Sequence, residues 1–121
     1  MVFNHDRDLL DIVGDFMQFF VDESCGICVP CRAGNVLLRQ KVARVASGRA
    51  VSSDLDEMVA WSGVVAHTSR CGLGATSPNP ILTTLTKFPE IYPVRPADPD
   101  ALLPAFDPEA ELTEHARVVA E

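Results

Sequence analysis

The chain is short of positive charge. It carries 10 Lys and Arg against 17 Asp and Glu, a formal net charge of −7. Neutralising phosphates takes clustered Lys and Arg, so a nucleic-acid partner is disfavoured. Long hydrophobic runs are also missing. The longest, over 16–21, is interrupted by Gln18, and a membrane-spanning helix needs about 20 apolar residues. Behind Met1 stand Asn4, His5, Asp6, Arg7 and Asp8, with no basic n-region and no apolar core of a secretory signal. There is no internal repeat and no low-complexity tract. These absences predict a soluble, acidic, cytoplasmic protein with no membrane span. The 121 residues, 47% of them hydrophobic, fit one domain with a modest core.

Cysteine is scarce too, and all of it is accounted for. Cys25, Cys28 and Cys31 stand three residues apart, and Cys71 is the only other thiol. A C-x2-C-x2-C turn can serve three corners of one small inorganic object, and a remote thiolate can complete the fourth. The pattern therefore asks for a [4Fe–4S] cluster on Cys25, Cys28, Cys31 and Cys71. Rival readings exist. Structural zinc also takes four thiolates, but its signature is two separated C-x2-C pairs. Disulfides suit an oxidising compartment, which the missing signal segment argues against. A thioredoxin-like redox pair would need a βαβ frame, and none surrounds these residues. Nucleophilic catalysis needs one thiol beside a base, not four in cluster spacing.

The rest reads as helices joined by short breaks, an all-α fold. A first helix is expected over about 6–23, capped by Asn4 or Asp6. Leu9, Val13, Phe16 and Phe20 form its stripe, widened by Leu10, Ile12, Met17 and Phe19. That stripe reads as core, with cofactor contact as the rival. In the cysteine loop, Gly26 permits positive φ and Pro30 fixes φ between two ligands. Backbone N–H groups there can point at cluster sulfur. Arg32 either offsets the cluster's negative charge or is solvated at a helix start. Phe16, Phe20, Ile27 and Val29 are expected to keep the pocket dry.

A second helix is expected from 32 or 33 to 47, stopped by Gly48. Val36, Leu37, Val42 and Val45 are its apolar positions. Arg39, Lys41, Arg44 and Arg49 make it the one basic segment, either a wet face or a dock for an acidic partner. A third helix should start at Ser52 or Ser53, with Ser53 and Asp56 as a capping box. It buries Leu55, Met58, Val59, Val65 and Ala66, runs to about 69, and delivers Cys71. Core packing is the first reading of Trp61 and interface contact the second. His67 is read as a surface or core residue; His5 and His115 carry no signal. Cys71 opens a tight loop in which Gly72 and Gly74 free the backbone around the cluster. Asn79 as cap and Pro80 open a fourth helix with Ile81, Leu82, Leu85 and Phe88, stopped by Pro89.

From Tyr92 the texture changes. Pro93, Pro96, Pro99, Pro104 and Pro108 break regular structure. Leu102, Leu103 and Phe106 could pin this strap to a surface, and a last short helix is expected from 107–108 to about 119. The expected division is a helical iron–sulfur domain over 1–91 and a Pro-rich strap over 92–121. The architecture is a small four-helix bundle with the cluster loop at one end.

Glu23-Ser24-Cys25-Gly26-x-Cys28-x-Pro30-Cys31-Arg32-x-Gly34 resembles the C-terminal cluster domain of the flavin-bearing NADH dehydrogenase subunit of respiratory complex I and its relatives. Ile27 and Val29, the segment Thr68-Ser69-Arg70-Cys71-Gly72-Leu73-Gly74-Ala75-Thr76-Ser77-Pro78, and Leu102-Leu103-Pro104-x-Phe106-Asp107 look like the large diaphorase subunit of NAD-reducing [NiFe] hydrogenases. The resemblance implies a helical bundle whose four cysteines correspond to Cys25, Cys28, Cys31 and Cys71. Beside them, Gly26, Arg32, Gly72 and Gly74 are read from their own chemistry as residues around the cluster. The resemblance also implies single-electron relay between flavin mononucleotide, on the NAD side, and further clusters of a neighbouring subunit. The family's flavin and nucleotide region precedes this domain and is not in this sequence. FMN and NAD are therefore expected on a partner or a missing region, and the chain alone is not expected to oxidise NADH. The expected partners are a flavin- and NAD-binding polypeptide and an iron–sulfur small diaphorase or hydrogenase subunit. The alternatives are a metal-stapled assembly module, holding zinc or iron–sulfur, and an iron–sulfur sensor.

Overall fold

The structure, a computed structural model, describes Asn4 and residues 6–96. The strap's apolar residues Leu102, Leu103 and Phe106, its expected last helix, and His5 and His115 lie outside the described residues.

Helix α1 is Leu9–Asp22. Its cap is Asp8, not Asn4 or Asp6: the Leu10 amide donates to Asp8 Oδ1 at 2.8 Å. That carboxylate both satisfies an orphan N–H donor of the first turn and faces the positive end of the helix dipole. Leu10, Val13 and Met17 recur at helical spacing and are buried, while Phe19 at the widened edge of the stripe is exposed.

Helix α2 is Val29–Ala46. It begins three residues earlier than expected, because Pro30 sits in its first turn, where a missing N–H costs nothing. Cys31 is therefore a helical residue. The helix stops as expected at Gly48, with φ of +67°. The Gly48 amide bonds to the Val45 carbonyl at 2.9 Å and the Arg49 amide to the Arg44 carbonyl at 3.0 Å, a Schellman closure.

Helix α3 is Ser52–Thr68. Its cap is Val51, and the residue that reaches back is Asp54, not Asp56. Asp54 Oδ2 accepts from the Val51 amide at 3.0 Å. Valine has no oxygen to return the favour, so the reciprocal bond is made by backbone, from the Asp54 amide to the Val51 carbonyl at 2.9 Å. Val59 and Trp61, expected inside, are on the exposed outer face together with Val64.

The segment after Cys71 is not a loop. It forms a short helix α4, Gly72–Thr76, followed almost without a break by α5, Asn79–Lys87, whose cap is Pro78. Gly72 and Gly74 are thus helical, and the positive-φ glycines are Gly26 and Gly48. A 3-10 turn, Pro89–Ile91, closes the bundle.

The four long helices pack in a ring, α1 on α2, α2 on α3, α3 on α5 and α5 back on α1. They alternate in direction, so the cysteines gather at one end. The core is Met17, Leu38, Val42, Val45, Met58, Val65 and Ile81 with Tyr92. Each fully buried aliphatic side chain contributes about 2 kcal/mol. Gly34 lets α2 and α3 close up: a Cβ there would stand 2.3 Å from Val65 Cγ2. At the far end Tyr92 is buried, and the Arg95 amide bonds to the Ala50 carbonyl at 2.9 Å. The first residues of the proline-rich stretch therefore belong to the packed body. No helix among the described residues is long and apolar enough to cross a membrane.

Candidate metal centre

Three elements meet at the cysteine end. The turn after α1 carries Cys25, the start of α2 carries Cys28 and Cys31, and the α3–α4 corner carries Cys71. All four side chains line one cavity of about 140 Å³, together with Glu23, Ser24, Ser69 and Leu73. None of the four is in a disulfide; Cys31 is buried, Cys28 half-buried, and Cys25 and Cys71 exposed. The cavity is thus a bowl with one deep sulfur and an open mouth.

The turn is fixed from within. Gly26 adopts a φ of +77°, which a side chain would strain. The Ser24 hydroxyl accepts from the Gly26 amide at 3.3 Å. Arg32 donates from its guanidinium to the Gly26 carbonyl at 3.1 Å. Arg32 is exposed and does not line the cavity; its contact ties the cysteine turn to α2. Gly74 serves by its smallness. A Cβ there would lie 2.5 Å from Ser69 Oγ and 3.3 Å from Cys31 Cβ, so only glycine lets α4 seat against Cys31. Gly72 has nothing within 4 Å of such a Cβ and is not confined by packing.

Around the sulfurs the chain presents donors. The Ser24 hydroxyl is 3.4 Å from Cys31 Sγ, and the Asn35 amide nitrogen 3.5 Å from the same atom. The backbone amides of Gly74 and Leu73 hold the Cys71 thiol below its ordinary value, although no full capping hydrogen bond closes. Ser69 Oγ is buried and has no hydrogen-bond partner among the described residues. Glu23 is the one acidic lining residue, and it sits at the exposed rim.

Some expectations fail here. Phe16, Phe20, Ile27 and Val29 do not line the cavity. Ile27 and Val29 are 73% and 60% exposed. Sequence reasoning missed Ser69, Asn35 and Ser77. Asn35 was within reach: with α2 begun at Val29, it lies four residues after Cys31 on the same face. Ser69 carries no spacing signal. His67 is exposed and bonded through Nδ1 to the Gly63 carbonyl at 2.8 Å.

A helical bundle with four thiols around one cavity defines a small iron–sulfur-binding module. Residues 11–95 match the family described as the NADH-ubiquinone oxidoreductase-F iron-sulfur binding region. The chain belongs to that family, whose cofactor is a [4Fe–4S] cluster. It is 64% identical over 114 residues to the NAD-reducing hydrogenase HoxS subunit alpha of Cupriavidus necator, covering 92% of this chain and 19% of that protein. It is 37% identical to the NADP-reducing hydrogenase subunit HndC of Solidesulfovibrio fructosivorans, covering 76% of this chain and 19% of the relative. In structure it resembles an NAD+-reducing [NiFe]-hydrogenase in the H2-reduced state, with a TM-score of 0.78 and 33% identity, covering 100% of this chain and 21% of the other. The chain thus spans about a fifth of the length of these relatives.

The residues present fit such a cluster. The cavity is roughly ten times what one water needs, which is room for a polynuclear core. The orphan Ser69 hydroxyl and the donors on Cys31 and Cys71 suit a sulfur-rich anion.

Proposed function

We propose that this chain is a one-electron relay module, with Cys25, Cys28, Cys31 and Cys71 as the four thiolate ligands of one [4Fe–4S] cluster. The observation that carries this reading is the convergence of all four side chains on one cavity. When bound, the cluster supplies single-electron redox chemistry. The chain's own residues hold it and tune it. Cys31 anchors the deep corner, Cys71 ties α4 to the turn after α1, and the hydroxyl and amide donors offset charge on sulfur. No proton-transferring pair is needed for this work.

The module connects a flavin- and NAD-binding polypeptide or region with an iron–sulfur-bearing subunit of an NAD-linked hydrogenase or a related complex. Relatives named as hydrogenase subunits support this, as do the exposed side chains of Ile27 and Val29, which flank Cys28 in the sequence. Large apolar side chains so placed suit a protein surface rather than water.

Protein purified without air tests the reading. Iron and acid-labile sulfide should each reach about four per chain, and the brown colour should bleach with dithionite. Colourless protein holding one zinc per chain would remove the relay and leave a metal-stapled assembly module.

A further inference from the structure

Cys31 is the one buried cysteine of the four, and a buried polar chain reaches it. Asn35 and Ser77 are both fully buried. Asn35 Nδ2 donates to Cys31 Sγ at 3.5 Å. The Ser77 hydroxyl donates to Asn35 Oδ1 at 2.7 Å, and it also lies 3.1 Å from the Gly74 carbonyl. Toward an acceptor sulfur the Asn35 amide presents its nitrogen, which leaves its oxygen to Ser77, and the hydrogen bond from the Ser77 hydroxyl holds it there. An asparagine and a serine buried in a bundle of this size carry a desolvation cost that an apolar pair would avoid. Their geometry explains their presence only if the sulfur is an acceptor, as a metal-bound thiolate is.

Resting on the relay reading above, we propose that Asn35 sets the reduction potential of the cluster through its hydrogen bond to Cys31, with Ser77 as the positioning residue. The thiolates carry more negative charge when the core is reduced. A donor on one of them therefore favours the reduced form and raises the potential. The effect is concentrated at Cys31, because a hydrogen bond is stronger in a dry environment than at the exposed Cys25 or Cys71.

The experiment is redox titration, followed by electron paramagnetic resonance, of anaerobically purified wild type, Asn35→Leu and Ser77→Ala. Iron and sulfide are measured first. Leucine keeps the branched shape of asparagine, is bulkier, and removes the donor. Its potential should fall by the equivalent of about tenfold in the reduction equilibrium, or about 59 mV for one electron. Ser77→Ala leaves the donor but frees its orientation, and should give a smaller fall. The sign separates tuning from mere loosening, since water admitted to the site would stabilise the more charged, reduced form and raise the potential. A full complement of iron in Asn35→Leu with an unchanged or raised potential overturns the proposal. If Asn35→Leu does not fold, Ser77→Ala decides alone: a fall supports the role and an unchanged potential overturns it. Wild type without iron and sulfide would sink the relay reading itself, a result distinct from either.

Discussion

The two ends of this bundle are held together by different physics. At the far end the α2–α3 connection, Ala50, Tyr92 and Arg95 close over an apolar core, and an ion-pair clamp joins Lys41 of α2 to Asp54 and Glu57 of α3. At the cysteine end there is a cavity, one positive-φ glycine, a close approach at Gly74, and buried polar side chains. The far end can be stable on its own contacts. The cysteine end is built around a volume that its own side chains do not fill, so its order depends on what enters that volume. Structural metal sites commonly make folding and binding one event. The difference predicts that changes at the cysteine end act on the cluster and changes at the far end act on stability.

The largest effect is expected from Cys71→Ser. Cys71 is the only proposed ligand from the α3–α4 corner, and serine would supply a weaker one with no other thiol there to replace it. Iron and sulfide per chain should drop to a small fraction of wild type, while far-ultraviolet circular dichroism of the helices changes little. Retention of the full iron content would break the distinction between the two ends.

Next is Gly34→Ala. The new methyl would meet Val65 Cγ2 at 2.3 Å, and a buried valine has one stiff rotamer to give. Overpacking of this kind costs about 1–3 kcal/mol, more than alanine's gain in helix propensity. A double-mutant cycle with Val65→Ala should show coupling, read by urea unfolding. Gly63→Ala is the control, since nothing lies within 4 Å of its would-be Cβ, and it should stabilise.

The pattern of what was legible in the sequence follows the same division. Helix ends set by local rules were readable: Gly48 ends α2, and α5 ends before Pro89. The cysteine spacing, with no thiol to spare, marked which residues would face each other. What the sequence hid was set by packing. Cys28 caps α2 with no side-chain hydrogen bond, so the local signal for its start was Pro30 in the first turn, which the sequence reading assigns to the cysteine loop instead. Leu38, at the centre of the core, went unnoticed beside Val36 and Leu37, which are only half-buried. The α4 turn is supported by Gly74 resting on Ser69 and Cys31, a contact between distant residues. Trp61 and Ile27 are apolar but outward, and hydropathy alone cannot tell a core residue from one at a rim.

Asp54 supplies a prediction for the far end. Burial would raise its carboxyl, but hydrogen bonds from Lys41 and the Val51 amide, with the charges of Lys41 and Arg44, outweigh that and hold it below 3.8. Its stabilisation is therefore present above that ordinary value and lost as pH falls through the lowered one. Lys41 is opposed by burial and raised above 10.5 by Glu57 and Asp54, so its share is present below 10.5 and lost as pH rises through the raised value. Asp54→Asn should cost about 2 kcal/mol at neutral pH and flatten the acid limb of a Tm-against-pH curve, with iron content unchanged. An acid limb as steep as that of wild type would show that other carboxylates carry it.

The smallest effect is expected from Tyr92→Phe. Thr84 Oγ and Tyr92 Oη are 2.7 Å apart in a buried contact. Thr84 also donates to the Pro80 carbonyl at 2.6 Å, so its proton is already placed and Tyr92 must be the donor. Removing the phenol leaves Thr84 with one vacant lone pair and an intact donor bond. The ring remains in the core, so no cavity opens. The loss should be about 1 kcal/mol or less by urea unfolding, and the cluster should be untouched. A change in iron content or potential in this variant would mean that the closing turn of the far end reaches the cysteines through α5, and that the two ends are one cooperative unit rather than two.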